Sequence, residues 1–292
     1  MKIDVFTRKS KEYNEDDYGF TKTMFWVIDG ATPRISNMFD KVGYNSNAEW
    51  FAKTLSKNLY RTYDETKSLI KIIRNALHLT REDFEETIGR PVTDFDEVYL
   101  PGGSISIVKV SNNKTEIVVI GDTLAIVEFD GKIIWYSGDK AHKNADKEII
   151  EYKLQLMQSS MPENEREEKI SEFILNIRKK LQNKEGGYPE LNVSYTAEEF
   201  IFDKKNYFEH IHKGNPKRFL LASDGLYSLV DTYRVYNSYY ELLDAVRISG
   251  VKKLVNMVKT YSTLYDILTI PRIKVFDDTT GLYVEFDNCL LE

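Results

Sequence analysis

The chain has 292 residues, of which 42% are hydrophobic and 29% charged, and its formal net charge is -6. This length allows one large domain or two small ones with a substantial buried core. The acidic balance, with a pI near 5.5, argues against a non-specific nucleic-acid binder, which would usually present a basic surface.

The single cysteine, Cys289, excludes an intramolecular disulfide and favours a reducing compartment. The first residues, from Met1 to Val5, contain no apolar stretch of signal-peptide length. No apolar run in the sequence approaches the length of a membrane span. We therefore expect a soluble, cytoplasmic protein with neither a membrane nor a nucleic acid as its partner.

The first third of the chain predicts two strands followed by helices. Residues 2–6 alternate between polar and apolar, and residues 24–28 form an apolar run, as strands do. An acidic loop over residues 10–20 separates them. Apolar residues then recur at helical spacing over residues 47–63 and again over residues 65–88, the latter as one helix or as two.

The middle and the end of the chain predict a second series of strands and helices. Strands are expected at residues 104–110, 115–120, 124–129 and 132–136, with Asp130-Gly131 as a hairpin turn. The charged segment 143–184 predicts two helices with solvated faces. The remaining predicted elements are strands at 199–202, 207–212, 218–222, 273–276 and 281–286, and helices at 239–248 and 251–265. No repeat or flexible linker divides the sequence, so we expect a single domain over residues 1–292.

Several predicted apolar strands end in an aspartate. Asp29, Asp122 and Asp224 each follow such a strand, and Asp277-Asp278 follows another. Any one of these sites, taken alone, is better explained as a turn, because Asp and Gly are common turn residues. If the strand ends converge, however, the carboxylates form an oxygen-rich site that suits Mg²⁺ or Mn²⁺. We expect no neutralising Lys or Arg beside them in sequence, so cations would have to balance their repulsion.

The order of these motifs resembles that of a known family, the metal-dependent protein phosphatases of the type 2C class (PPM family), in the style of its bacterial members. The motifs are Asn14-Glu15-Asp16, Val27-Ile28-Asp29-Gly30, Gly102-Gly103-Ser104, Ile120-Gly121-Asp122-Thr123, Leu221-Ala222-Ser223-Asp224-Gly225-Leu226 and Asp277-Asp278-Thr279-Thr280. Because they extend from Asn14 to Thr280, the resemblance covers almost the whole chain.

The resemblance implies an α+β fold, a four-layer αββα sandwich in which two central antiparallel β-sheets are flanked by helices. It also implies a site for two Mn²⁺ or Mg²⁺ ions, with the weaker third ion that bacterial members often show. In that site Asp29 would bridge two ions, the Gly30 carbonyl would bind one of them, and Asp224 and Asp277 would complete the second. Glu15 would act through a metal-bound water, and Asp122 with Asp224 would hold the weaker third ion. Further candidate ligands are Asp16 and Asp278.

The activity that the resemblance implies is hydrolysis of phosphoserine or phosphothreonine in a protein partner. A water that bridges the metal ions would attack phosphorus directly, and no phosphoenzyme would form. Asp29, Asp224 and the phosphate-contacting Lys11 are the expected catalytic residues. We expect a monomer. Cys289 belongs to no phosphate-binding loop, which argues against a cysteine-dependent phosphatase.

Four positions depart from the family pattern, and the mildest departure is Asp278, which stands where an Asn is usual and adds a candidate ligand. Lys11 stands where an Arg usually contacts phosphate, and Arg8 is an alternative. Ala31 stands where a His can protonate the leaving group, and Ser228 replaces an Asp that serves the third metal. These departures keep two alternatives open: a catalytically weak or inactive regulatory or binding module with the same fold, and a phosphatase for small phosphorylated molecules.

The histidines contribute little to the sequence-based hypothesis. His210 and His212 alternate on a predicted strand, but without a third nitrogen ligand nearby a metal role is disfavoured. His142 is predicted to lie in a loop.

Overall fold

The structure is a computed structural model, and it describes residues 1–31, 35–111, 113–138 and 140–286. These residues form the strands β1 (Lys2–Arg8), β2 (Asp16–Phe20), β3 (Met24–Ala31), β4 (Gly102–Ser111), β5 (Lys114–Ile120), β6 (Leu124–Phe129), β7 (Lys132–Ser137), β8 (Leu191–Asn192), β9 (Phe208–Lys213), β10 (Arg218–Ala222) and β11 (Thr279–Glu285). The α-helices are α1 (Asn47–Thr62), α2 (Leu69–Ile88), α3 (Lys140–Met157), α4 (Glu163–Leu181), α5 (Tyr195–Ile201), α6 (Asp224–Asp231), α7 (Tyr239–Ser249) and α8 (Val251–Leu264). Short 3-10 helices cover Asp40–Val42, Val92–Asp94 and Glu97–Tyr99.

The strands form two antiparallel sheets. The first has the order β1-β11-β10-β6-β7, and the second has the order β2-β3-β4-β5-β9, with the short β8 paired to β4. Helices α1, α2 and α5 cover the outer face of the second sheet, and α6, α7 and α8 cover the outer face of the first. The predicted four-layer αββα sandwich is therefore confirmed.

Strand β3 illustrates why the central strands are apolar throughout. Phe25 and Val27 point into the core between the two sheets, whereas Trp26 and Ile28 point into the core under α1 and α2. Alternate side chains of a strand face opposite sides of its sheet, so a sheet covered on both faces needs a continuous apolar run. The same strand carries Asp29 directly beyond its buried part.

Helices α3 and α4 form a hairpin that packs through a small apolar cluster of its own. The buried members of this cluster are Ala145, Ile149, Ile174, Ile177 and Tyr188, and Ile273 packs against them. We call this hairpin the roof, because it lies over the cavity described below.

The structure corrects several predicted elements. Residues 199–201 belong to helix α5, and Phe202 is its C-cap, so no strand forms there. The Ser194 hydroxyl caps the start of this helix by accepting bonds from the backbone N–H groups of Thr196 and Ala197. The predicted strand at 273–276 is an irregular segment, which buried Arg272 holds through bonds to backbone carbonyls. The end of the predicted acidic loop is strand β2, and helix α2 begins at Leu69.

Helix α6, directly after β10, was not predicted. Cys289, the single cysteine, lies outside the described residues. Among the helices that the structure describes, none combines the length and the apolar character that a membrane crossing requires.

Candidate metal centre

The first two acidic motifs meet because β2 and β3 are neighbours. Asp16 and Asp29 are directly opposite each other in the register of this strand pair. The Gly30 N–H donates to the Glu15 carbonyl over 3.1 Å. A side chain at Gly30 would have its Cβ 2.5 Å from the Glu15 carbonyl oxygen and 2.7 Å from that of Ala48. Only glycine allows this close approach, which explains why the Asp-Gly pair ends β3.

Asp122 is fixed by the end of the neighbouring strand pair. Gly121, with φ of +86°, turns the chain after β5, and a Cβ there would lie 2.0 Å from the Ser104 hydroxyl oxygen. This hydroxyl donates to Asp122 Oδ1 over 2.6 Å, and His142 Nε2 lies 3.3 Å from Asp122 Oδ2. Burial alone would raise the pKa of Asp122, but His142 and the Ser104 bond hold that pKa below its usual value.

The other sheet contributes Asp224 and Asp277. Asp224 is the first residue of α6, and its backbone N–H donates to Asp29 Oδ2 over 3.4 Å, which joins the two sheets at this point. Burial raises the pKa of Asp29 well above its usual value, and the charge of Asp16 adds to this shift. Burial likewise raises the pKa of Asp224, and here the charge of Asp277 adds most to the shift. Carboxylates that follow strands of both sheets therefore lie close enough to raise one another's pKa.

Asp16 is a deeply buried member of this group. It is 3% exposed, and neither of its carboxylate oxygens accepts a hydrogen bond of normal geometry from the described residues. Burial and the charge of Asp278 raise the pKa of Asp16 to about 8, although the nearby Ser223 and Thr280 hydroxyls oppose this shift. A buried carboxylate without partners is costly unless it is protonated or lies beside a cation. The donor set therefore fits a hard divalent cation.

Four of these carboxylates line one cavity of about 360 Å³. One wall, the floor, lies at the ends of strands from both sheets and carries Asp29, Asp122, Asp224 and Asp277. The opposite wall is the roof and the segment after it, with His142, Asp146, Ile149, Ile174, Arg178, Tyr188 and Glu190. Among the described residues, no three His, Cys, Asp or Glu side chains lie close enough together to hold one metal ion as they stand. The acids thus share a cavity without closing on one point.

Two of the predicted residues have additional structural contacts. The Asp278 carboxylate accepts the backbone N–H of Ser10 over 2.5 Å and that of Glu15 over 2.6 Å, so it holds the acidic loop in place. Lys11 lines the cavity, and its Nζ lies 3.2 Å from Glu15 Oε2. Metal binding by Asp278 and by Glu15, and phosphate binding by Lys11, stay predictions.

Arg8, His210 and His212, which the sequence raised as alternative phosphate or metal contacts, do not line the cavity. Arg8 donates to Asn256 Oδ1 over 2.7 Å, in a surface groove beside α8. The His212 ring packs 3.8 Å from that of Phe129 on the sheet, and His210 lies beside it with ring centres 6.2 Å apart.

The structure adds cavity residues that the sequence analysis missed or misplaced. His142 lies in helix α3 and not in a loop, and Asp146 is one turn further along the same helix. Lys274 Nζ lies 2.6 Å from Asp277 Oδ1, which corrects the expectation that no cation neutralises these acids. Burial opposes its charge, but Asp277, Asp224 and Asp29 raise the pKa of Lys274 above its usual value. The signals were the four-residue spacing of His142 and Asp146 and the three-residue spacing of Lys274 and Asp277.

Comparisons with known proteins agree with this architecture. Neither a scan against protein-family models nor a search of curated proteins finds a match. Among solved structures, the serine/threonine phosphatase PstP/Ppp of Mycobacterium tuberculosis is similar, with a TM-score of 0.57, 13% identity and coverage of 98% of this chain and 99% of that chain. The catalytic domain of PstP in complex with 2 manganese ions is similar with a TM-score of 0.53, 14% identity and coverage of 97% of both chains.

The PPM Ser-Thr phosphatase MsPP of Mycobacterium smegmatis, in complex with cacodylate, is also similar. Its TM-score is 0.51 and its identity 14%, and the match covers 98% of this chain and 99% of that chain. These matches are too distant in sequence to carry more than architecture, but they extend over nearly the whole chain. The resemblance is thus confirmed at the level of the fold: the chain has the fold of the bacterial PPM-type Ser/Thr phosphatases.

Proposed function

We propose that the protein is a Mn²⁺- or Mg²⁺-dependent phosphatase that acts on phosphoserine or phosphothreonine in proteins. The observation that carries this proposal is the contact between Asp224 and Asp29, which brings carboxylates of two different sheets to one cavity. The PPM-type fold and the two manganese ions of the similar PstP structure support the same activity.

The residues present define which groups would hold the ions. Asp29, the Gly30 carbonyl, Asp224 and Asp277 would hold two ions, with Glu15, Asp16 and Asp278 as supporting acids. Asp122, oriented by Ser104, would hold a weaker third ion together with Asp224. When bound, such ions supply Lewis-acid stabilisation of the phosphoryl oxygens and acidify the attacking water.

The other cavity residues act on the substrate. Lys11 would bind the phosphate as a point charge, which is less directional than the paired donors of an arginine. Ala31 lines the cavity and has no proton to give, so solvent water must protonate the departing alkoxide. We therefore expect a phosphatase that is slower on alkyl phosphates than on aryl phosphates, whose leaving groups need no proton.

The second candidate function is a regulatory or binding module that keeps the fold with little or no turnover. Lys11, Ala31 and Ser228 favour it, and the Ser228 hydroxyl is turned to its own helix, where it donates to the Gly225 carbonyl over 2.6 Å. A phosphatase for small phosphorylated molecules is the third possibility, and the choice of substrate in the assay separates it from the first.

The test is hydrolysis of p-nitrophenyl phosphate, a phosphothreonine peptide and small phosphorylated metabolites by purified protein, with Mn²⁺ and with EDTA. The proposal expects Mn²⁺-dependent activity that Asp224→Ala abolishes, with the peptide preferred over the metabolites. The matched control is Asp203→Ala, at an exposed surface aspartate whose Oδ2 lies 3.6 Å from Lys205 Nζ. Activity that survives EDTA would exclude the metal mechanism, whereas tight Mn²⁺ binding without turnover would favour the regulatory module.

A further inference from the structure

Lys274 places a positive charge inside the group of carboxylates. It lies in the irregular segment between α8 and β11, and its side chain, 46% exposed, lines the cavity together with Asp29 and Asp224. Its Nζ lies 2.6 Å from Asp277 Oδ1. The structure therefore joins this ammonium group directly to one of the predicted metal ligands.

The position of Lys274 is imposed by the segment that carries it. The neighbouring Arg272 is 8% exposed, and its guanidinium donates to the carbonyl oxygens of Ser262, Tyr265, Asp266, Ile270 and Val275. On the roof, Lys153 Nζ donates to the Ile273 carbonyl over 2.6 Å. Backbone anchors thus lie on both sides of Lys274, so its side chain starts from a fixed point at the cavity edge.

The other cations of the cavity have different surroundings. Lys11 pairs with Glu15 at 3.2 Å, and Arg178 belongs to the opposite wall, on α4. A divalent cation that binds Asp277 must therefore share this carboxylate with Lys274 and must approach its ammonium group. Like charges at such distances repel, and the cavity screens them less than bulk water does.

We propose that Lys274 is a built-in counter-ion that competes with the metal ions for Asp277. Without metal, it offsets the mutual repulsion of the carboxylates and so stabilises the folded chain. With metal, it gives up part of its contact with Asp277, which weakens metal binding and makes it more readily reversible. This inference rests on the proposed metal centre, but it concerns a residue outside the motifs that predicted that centre.

The test measures binding of Mn²⁺ alone, by calorimetry on metal-stripped protein, and thermal unfolding in EDTA and in Mn²⁺ at pH 8. We expect Lys274→Met to bind Mn²⁺ about tenfold more tightly than the wild type. We also expect this variant to unfold at a lower temperature than the wild type in EDTA and to show a larger rise in unfolding temperature when Mn²⁺ is added. The reason is that a substitution that destabilises only the metal-free state makes metal binding tighter. Lys274→Arg keeps the charge and should stay close to the wild type.

The matched control is Lys143→Met, which removes a similarly exposed lysine. The Nζ of Lys143 lies 3.5 Å from Asp231 Oδ2, and Asp231 is not one of the predicted metal ligands. This variant should bind Mn²⁺ like the wild type. If Lys274→Met binds Mn²⁺ no more tightly than the wild type does, or more weakly, the inference is wrong while the metal centre stands. If the wild type does not bind Mn²⁺, the proposed metal centre is wrong. In that case unfolding in EDTA still tests Lys274, because equal stability of Lys274→Met and wild type would overturn its role as a counter-ion.

Discussion

The floor and the roof of the cavity are built in different ways. The floor lies at the ends of hydrogen-bonded strands in two sheets, and the apolar part of β3 that leads to Asp29 is fully buried. The roof is a pair of helices in which only a few side chains are buried, among them Ile149 on α3 and Ile174 on α4. The floor therefore has the rigidity that metal ligands need, whereas the roof has few apolar contacts to resist local opening.

The difference suggests a division of work. Residues of the floor would perform the chemistry, because their positions depend on the register of both sheets. Residues of the roof would shape access and substrate binding, because the hairpin can adjust without disturbing the main cores. Changes to the floor should thus affect turnover, and changes to the roof should affect KM.

Asp29→Asn should have the largest effect, because it removes a charge from the floor while keeping the shape of the side chain. We expect kcat/KM for p-nitrophenyl phosphate in Mn²⁺ to fall about a thousandfold or more. Because burial and neighbouring acids already disfavour the ionised form, the variant should unfold at the same or a higher temperature than the wild type in EDTA. If kcat/KM falls by less than tenfold, Asp29 is not the central metal ligand that the proposal makes it.

Leu55→Ala and Ile177→Ala compare a main core with the roof. Leu55 is fully buried under the second sheet, so its truncation should lower the free energy of unfolding by about 2–5 kcal/mol. Ile177 belongs to the roof cluster, so Ile177→Ala should lower the global free energy of unfolding by less than Leu55→Ala does. It should nevertheless speed hydrogen exchange over residues 140–181 and raise KM several-fold. If Ile177→Ala speeds exchange uniformly across the chain, roof and core unfold as one unit and the comparison fails.

Ser104→Ala tests how precisely the floor must hold one carboxylate. The Ser104 hydroxyl donates to Asp122 Oδ1 over 2.6 Å, and a bond to a charged group is worth about 1.5–3 kcal/mol. We expect about tenfold lower activity and a need for more Mn²⁺ to saturate it. The control is Ser106→Ala, two residues further along β4, because its buried hydroxyl has no hydrogen-bond partner among the described residues. Equal Mn²⁺ dependence in both variants would contradict a metal role for Asp122.

The sequence predicted the floor well because its signals are local. Asp29 and Asp224 each follow an apolar strand and precede a glycine, and Asp122 lies directly after the end of β5 and Gly121. The strand expected before Asp277 does not form. Strand pairing brings Asp16 opposite Asp29. Helix α6 was missed because Asp224-Gly225 resembles a turn, and the strand expected at 199–202 is the end of helix α5, which the Ser194 cap begins.

The roof could be predicted only as helices. Its contribution to the cavity depends on how the hairpin packs through Tyr188 and Ile273, and those contacts join distant parts of the chain. The charge of Lys274 was visible three residues before Asp277, but the apolar neighbours Val275 and Phe276 favoured a strand. In a strand, the two side chains would have faced opposite sides of the sheet, and the contact would not form.

Asp146→Asn should have the smallest effect, and it examines the electrostatic link between roof and floor. Burial raises the pKa of Asp146 to about 6, and the charge of Asp122 adds to this against the opposing effect of His142. The folded chain therefore binds this proton more tightly than the unfolded chain, whose pKa is near 3.8. The free energy of unfolding consequently falls as the pH rises from about 4 to about 6, and the loss persists at higher pH.

Asn carries no charge at either pH, so Asp146→Asn should melt about 2 °C above the wild type at pH 8 in EDTA and together with it near pH 4. The control is Glu151→Gln on the same helix, whose side chain is 59% exposed and should give no such difference. An equal shift at both pH values would mean that the substitution acts through packing. A shift confined to pH 8 would show that the folded roof holds Asp146 where its ionised form is disfavoured, first by burial and then by the charge of Asp122.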